Sequence, residues 1–249
     1  MKHSTSEISL INQPVCNNCT STNCFINRYV SAEWKEKIIT GKSAQRYKSG
    51  TSVLKEGEPV LGIYFIFSGK VKVYNTGPDD RSQIVRLAGS GDILGHRGLG
   101  INMRYPISAS TLEEATICFI KTTDFIKALE HNPAFAINLL MFYASELRRA
   151  EHKLRSLSQM TVKQKLADTL LTIRDIYGTR KLHGKKVLAV KLSRQEFADI
   201  IGASIEEVIR TFSVFKKEGT LGLEGKYISI INNKHLESLL KGFRNIQLP

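Results

Sequence analysis

No stretch of this chain approaches the roughly 18 consecutive apolar residues that a membrane-crossing helix needs. Its start, Met1-Lys2-His3-Ser4-Thr5-Ser6-Glu7, carries one lysine and no apolar segment behind it, which argues against a secretory signal and for a cytoplasmic protein. Cysteine is scarce. With four in 249 residues, a disulfide framework is not the expected basis of the fold. The signatures of common enzymes are also missing: no G-x-S-x-G, no P-loop and no H-E-x-x-H occurs. The six histidines, His3, His96, His131, His152, His183 and His235, stand at no ligand spacing, so catalysis is not the expected activity. Acid is in short supply too, with 23 Asp and Glu against 36 Lys and Arg.

What is present fits a folded, polyanion-binding chain. Hydrophobic residues make up 42% and charged residues 24%, enough for a packed core in one large or two modest domains. The formal charge of +13 points to nucleic acid as a partner. Residues 160–249 hold 16 basic and 9 acidic side chains, against 20 and 14 in the longer stretch before them. The C-terminal part is therefore the better candidate for a phosphate-facing surface.

Organisation shows in the punctuation. Gly50, Gly57-Glu58-Pro59, Gly62, Gly69, Gly77-Pro78, Gly89-Ser90-Gly91 and Gly95 separate short β-prone runs at Thr51–Leu54, Ile63–Phe67, Val71–Tyr74 and Ile84–Leu87. A further run lies at Ala115–Ile120. This rhythm predicts an all-β sandwich or roll over about residues 46–122. After Asn132-Pro133 the period changes, and no Gly or Pro interrupts the chain to Met160. Leu140, Tyr143, Leu147, Ala150, Leu154 and Leu157 step by threes and fours, the spacing of a two-chain coiled seam. Thr161 and Gln164 form a capping box for another helix, ended by Gly178. A basic loop over 179–184 and a strand over 187–192 are expected next.

The most informative constellation follows. Ser193-Arg194-Gln195-Glu196 and Ser204-Ile205-Glu206-Glu207 are two capping boxes on either side of Gly202, the mark of a helix-turn-helix. At 100° per residue, Ile205, Val208, Phe212 and Phe215 face the core, whereas Glu206 and Arg210 face outward one turn apart. Ile209 lies between the two faces. A helix in the major groove reads bases with its N-terminal half, so Arg210 would bond a guanine and Glu206 would accept from a cytosine amine. Ser193, Arg194 and Ser204 complete the expected DNA-facing set, Ser204 offering a hydroxyl and backbone N–H groups to a phosphate. Leu221–Leu223 and Lys226–Ile231 read as a small hairpin, with Lys226 at its tip for a further phosphate.

The order of roll, seam helix and winged helix-turn-helix resembles the Crp–Fnr superfamily of bacterial transcription regulators over about residues 16–240. Leu54-Lys55-Glu56-Gly57-Glu58, Ile63–Val73, Gly91-Asp92-Ile93-Leu94-Gly95 and Ser193–Tyr227 carry the likeness. It implies an α+β chain in four parts: a cysteine-containing segment (1–30), a jelly-roll-like, cyclic-nucleotide-binding-like sensor (31–130), a dimerisation helix (131–160) and a winged helix-turn-helix (161–249). It also implies a homodimer on double-stranded DNA, RNA polymerase as a partner and no membrane. Glu206 and Arg210 match the family positions that read a T-G-A core. Ile209 stands where the Fnr type has Ser.

Cyclic-AMP-responsive members carry Gly-Glu-x-Gly-Leu and a later Arg-Ser. Here Gly95-His96-Arg97-Gly98-Leu99 has His for Glu, and Pro106-Ile107-Ser108-Ala109 lacks the Arg, so a cyclic nucleotide is not the expected ligand. Cys16, Cys19, Cys24 and Cys118 instead resemble the four ligands of the Fnr-type [4Fe–4S] cluster, which oxygen destroys with loosening of the dimer. The spacing Cys19-x4-Cys24 departs from the family's x5. Zinc, a thiol switch, and a plain packing role for Cys118 remain open at this point.

Overall fold

The computed structural model describes residues 8–10, 19, 21–100 and 102–243. The chain divides into two compact units, Met1–Asn75 with Arg86–Ala144, and Thr76–Val85 with Ser145–Pro249.

In chain order the first unit begins with β1 (Ile8–Leu10), α1 (Phe25–Tyr29), α2 (Ala32–Gly41), β2 (Ser43–Tyr47), β3 (Ser52–Leu54), β4 (Gly62–Ser68) and β5 (Val71–Thr76). It continues with β6 (Ser82–Ala88), β7 (Ile93–Leu94), β8 (Ser108–Thr111), β9 (Ala115–Lys121) and α3 (Thr122–His131). The strands form two sheets, ordered β1-β2-β9-β4-β7 and β3-β8-β5-β6. Each of the five expected β runs is a strand. Strand β8 carried no sequence signal because Ser108, Ala109, Ser110 and Thr111 are all buried yet small and mostly polar. Its polar groups are satisfied: Ser108 Oγ accepts from Glu56 N at 3.0 Å, and Thr111 Oγ1 accepts from Thr51 N at 2.9 Å. Phe25, Phe65, Phe125, Phe135 and Leu139 pack in one core with Ile63, Ile93, Ile120 and Cys118.

The long helix α4 spans Pro133–Gln159, and the division between units falls inside it at Ala144/Ser145. The hairpin β5–β6 is divided as well, since its tip Thr76–Val85 belongs with the second unit.

The second unit continues as α5 (Val162–Tyr177), β10 (Thr179–Leu182), β11 (Lys185–Leu188), α6 (Arg194–Ile201), α7 (Ile205–Lys217), β12 (Leu221–Glu224), β13 (Tyr227–Ile230) and α8 (Asn233–Ser238). The expected loop over 179–184 is a strand and a tight turn, and the strand expected over 187–192 ends at Leu188. Residues His183 and Gly184 both have positive φ, 45° and 77°, the conformation of a two-residue hairpin turn. A His-Gly pair lacks the Asn-Gly or Asp-Gly signature by which such turns are recognised. Leu166, Leu170, Ile173, Val187, Phe197, Val208, Phe212, Phe215 and Leu236 fill this unit's core.

Candidate nucleic-acid interface

Helices α6 and α7 start where hydrogen bonding dictates. Ser193 Oγ accepts from Glu196 N at 3.1 Å while Ser193 N donates to the Glu196 carboxylate at 2.8 Å. Ser204 and Glu207 repeat the arrangement at 3.2 and 3.1 Å. Each box satisfies backbone donors that a helix start leaves unpaired. Backbone and side-chain hydrogen bonds from Ser204 hold the Glu207 carboxyl below the usual carboxylate range. Gly202 closes α6 in the left-handed conformation at φ 61°.

The hydroxyl expected to meet a phosphate is already engaged. Ser204 has no spare hydroxyl for a phosphate, because its Oγ both accepts from Glu207 N and donates to the Glu207 carboxylate at 3.0 Å. The charge of that carboxylate at the helix start also disfavours an approaching anion. Ser193 is committed in the same way, donating to Glu196 at 3.1 Å. Arg194 is half-buried, its guanidinium 3.8 Å from the centre of the Phe212 ring, and burial lowers its pKa from the ordinary value. It packs on the helix that would read DNA.

On α7, Val208, Phe212 and Phe215 are buried and Ile205 is half-buried. Glu206 and Arg210 are exposed, and Ile209 retains 48% of its accessible surface. Among the described residues, no ion pair joins Glu206 to Arg210 or ties either to another group. Both polar heads therefore project from the outer face without being consumed on it.

Basic residues beside the helices sort by partner. Lys185 pairs with Glu224, linking the two hairpins, and Lys163 pairs with Glu218 at 2.6 Å. Among the described residues, Arg180, Lys186, Lys191 and Lys226 have no carboxylate partner. Lys191 Nζ lies 4.7 Å and Arg180 Cζ 5.4 Å from the centre of the Tyr227 ring on β13. A hydrogen bond from Lys191, reinforced by both positive charges, lowers the Tyr227 phenol from its ordinary value. Tyr227 and Lys191 were not singled out from sequence. Nothing in their spacing marks them, because they meet only when β13 is laid beside the chain after β11.

The expected seam splits into two faces. Leu140, Leu147 and Leu154 are exposed at 63, 62 and 68%, with Ile137 and Met141 beside them, and Ala150 is also exposed. Tyr143 and Leu157 do not join that stripe. Tyr143 is half-buried and its hydroxyl donates to the His96 carbonyl at 2.6 Å. Leu157 is half-buried, with its Cδ2 3.1 Å from where a Cβ on Gly202 would sit.

In the first unit, Cys19, Cys24 and Cys118 line one small cleft with Lys42, Phe65 and Phe67. Cys16 lies outside the described residues. The donor set is all thiol, which suits iron–sulfur chemistry. As it stands the cleft has room for about one water molecule. Among the described residues, no three His, Cys, Asp or Glu side chains stand close enough to hold a metal ion. Cys118 is at the same time a member of the buried core.

A second small cavity, lined by Arg86, Leu94, Gly95, His96 and Arg97, lies where the resemblance places a nucleotide. The chain's own side chains crowd it, leaving room for about one water molecule. Arg86 is held by Asp92 at 2.9 Å and by the Ile93 carbonyl at 3.1 Å. The His96 ring packs edge-on against Phe142 and Tyr143.

Comparison with known proteins accords with this geometry. The cyclic nucleotide-binding domain family matches residues 44–132 and the Crp-like helix-turn-helix domain family matches residues 164–239. The nitrogen fixation regulation protein FixK of Bradyrhizobium diazoefficiens is 27% identical, over 90% of this chain and 93% of its own length. A CRP-like cAMP-activated global transcriptional regulator of Mycobacterium tuberculosis is 29% identical, over 76% of this chain and 84% of its own. Among solved structures, FixK2 from Bradyrhizobium japonicum superposes with a TM-score of 0.70 at 26% identity, covering 80% of this chain and 96% of that one. Among the described residues, no helix is long and apolar enough to cross a membrane.

Proposed function

The chain belongs to the Crp/Fnr family of DNA-binding transcription regulators, and from that premise we propose that it binds DNA as a homodimer and reads a palindrome through α7. The observation that carries the reading is the pair Glu206 and Arg210, exposed one turn apart and, among the described residues, in no side-chain hydrogen bond or close ion pair. Arg210 donates to guanine O6 and N7, and Glu206 accepts from a cytosine amine, giving half-sites with a T-G-A-like core. Ile209 offers an apolar surface to a thymine methyl. Arg180, Lys191 and Lys226 contact phosphates, with Tyr227 holding two of these cations in place. The leucines Leu140, Leu147 and Leu154 cover one another across the dimer axis. The cytoplasm is the compartment and RNA polymerase the partner that this role entails.

The cleft of Cys19, Cys24 and Cys118 is the sensing site in this reading, with Cys16 as fourth thiolate of a [4Fe–4S] cluster. That cluster would supply sensitivity to oxygen. What favours it over a cyclic nucleotide is that three thiols line one cleft, while the cavity at His96 is crowded by its own side chains.

The test is binding to mixed-sequence duplex as salt is varied. A winged reader with three phosphate contacts per chain should lose affinity steeply, with a log–log slope of about −0.9 per phosphate contact. Affinity independent of salt would sink the assignment of this surface to DNA.

A further inference from the structure

Helices α5, α6 and α7 of the second unit begin on the same hydrogen-bonded arrangement, but they do not build it from the same residue. At α5 the third helical position holds Gln164, whose side-chain oxygen accepts from Thr161 N at 3.0 Å while Gln164 N donates to Thr161 Oγ1 at 3.3 Å. At α6 and α7 that place is taken by Glu196 and Glu207. Glutamine and glutamate both serve, because each presents an oxygen to the N–H of the capping residue. The negative charge of Glu207 is therefore not required for capping, and α5 in the same unit is capped without one.

Its position gives that charge a consequence. A helix start attracts phosphate through its unpaired N–H groups and the positive end of its dipole. At α7 the Glu207 carboxylate is fixed over that start, since Ser204 N donates to its Oε2 at 3.1 Å and Ser204 Oγ donates to the same oxygen at 3.0 Å. Hydrogen bonds from Ser204, and behind them the charges of Arg210 and Lys165, hold the carboxyl below its ordinary value, so it is ionised at neutral pH. A phosphate approaching the start of α7 meets this anion. A base edge does not suffer in the same way, because the amines of cytosine and adenine present donors to it. The distinction matters because phosphate contacts supply non-specific binding, whereas base contacts tell sequences apart.

We propose that Glu207 is a specificity-determining residue that bars the DNA backbone from the start of α7, so that this helix settles against base edges in the groove and not on phosphate. It acts by exclusion, penalising the non-specific mode more than the specific one. The inference rests on the proposal that α7 reads DNA, and its test separates the two.

Glu207→Gln removes the charge and keeps the box, as Gln164 does at α5. Ser204→Ala is the converse, losing side-chain bonds of the box while the charge stays. Glu130→Gln makes the same change of charge at an exposed glutamate on α3 of the first unit. Affinity is measured for the full chain on mixed-sequence duplex and on a duplex enriched by the wild type, each at low and high salt. At low salt Glu207→Gln should bind mixed duplex about two- to fivefold more tightly per chain, the range of a single charge at a helix end. The gain should shrink as salt screens the repulsion. It should be smaller on the enriched duplex, so the ratio of specific to non-specific affinity falls. Glu207→Ala, which loses both charge and box, should show the same gain at lower stability, and Ser204→Ala and Glu130→Gln should show none comparable. Unchanged or weaker binding of mixed duplex by both Glu207 variants would overturn the proposal. Equal gains on the two duplexes, or the same gain in Glu130→Gln, would reduce it to an effect of net charge and overturn it as well. A changed preference at one base in Glu207→Gln would make Glu207 a reader and not a barrier. All of these outcomes leave enrichment by the wild type standing; a wild type that enriches no duplex removes instead the reading on which the proposal rests.

Discussion

Individual residues on the reading surface differ in what they contribute, and single substitutions separate them. Arg210→Ala should cost about 1–3 kcal/mol per half-site and relax the preference at the guanine. Lys226→Ala should instead weaken all sequences alike and reduce the salt slope by about 0.9; competition titrations against scrambled duplex distinguish the two patterns. Ser193→Ala and Ser204→Ala belong to a third class, because both hydroxyls are spent on helix starts. Each should lower stability by about 1 kcal/mol and leave the salt slope unchanged. Lys153 adds a pH signature. Burial lowers its pKa from the ordinary 10.5 to about 8, with Asp168 opposing that shift and Lys165 adding to it. Between those values the unfolded chain holds the extra proton, so this group makes stability rise with pH through the window from about 8 to 10.5. Urea denaturation across that range should therefore show wild type gaining on Lys153→Met. Parallel curves would mean that the ammonium is not buried in solution. The outward pair Glu206 and Arg210 was legible in the sequence because helical periodicity fixes which side chains share a face. The engagement of Ser204 was half legible: a capping box names its partners, but the box alone does not show that the hydroxyl proton is given to the Glu207 carboxylate.

Whole elements were read well where hydrophobic period or capping marked them. The two boxes around Gly202 placed α6 and α7 to within a residue, and Asn132-Pro133 placed the start of α4. Strands β8 and β10 escaped for opposite reasons: small polar residues buried by their neighbours' geometry in the one, and a short, partly basic run, exposed or half-buried throughout, in the other. The helix α4 shows what period alone does not resolve. Its threes and fours describe a stripe, but Tyr143 and Leu157 lie at the stripe's edge and turn into their own units, leaving the sevenfold repeat Leu140, Leu147 and Leu154 exposed. Leu147→Lys with Leu154→Lys should therefore give monomers in sedimentation, with the two units still folded. Tyr143→Phe should leave the dimer intact, since its hydroxyl is used within its own unit. Monomers from Tyr143→Phe, or dimers surviving both lysines, would overturn that division of the helix.

For the whole molecule, the order of roll, long helix and winged helix-turn-helix was open to sequence reading because each part has its own period. The distribution of β5–β6 and α4 over both units was not, because it arises from contacts between residues more than a hundred positions apart, such as Gln83 with Asp199. The proposed sensing cleft was legible in the residue type of its cysteines and not in its geometry. Anaerobic reconstitution should yield iron and sulfide together, and changing Cys19, Cys24 and Cys118 to Ser should abolish both. Wild-type protein that takes up neither would return Cys118 to a packing role in the core. The central claim, that this chain reads DNA sequence through α7, is tested most directly by selection from a random duplex pool with wild type and Arg210→Ala. The account requires the wild type to enrich a palindrome whose half-sites lie about one helical turn apart, roughly 34–36 Å, with a T-G-A-like core, and the variant to lose preference at the guanine. A wild type that enriches no palindrome, or a variant that enriches the same one equally strongly, would contradict it.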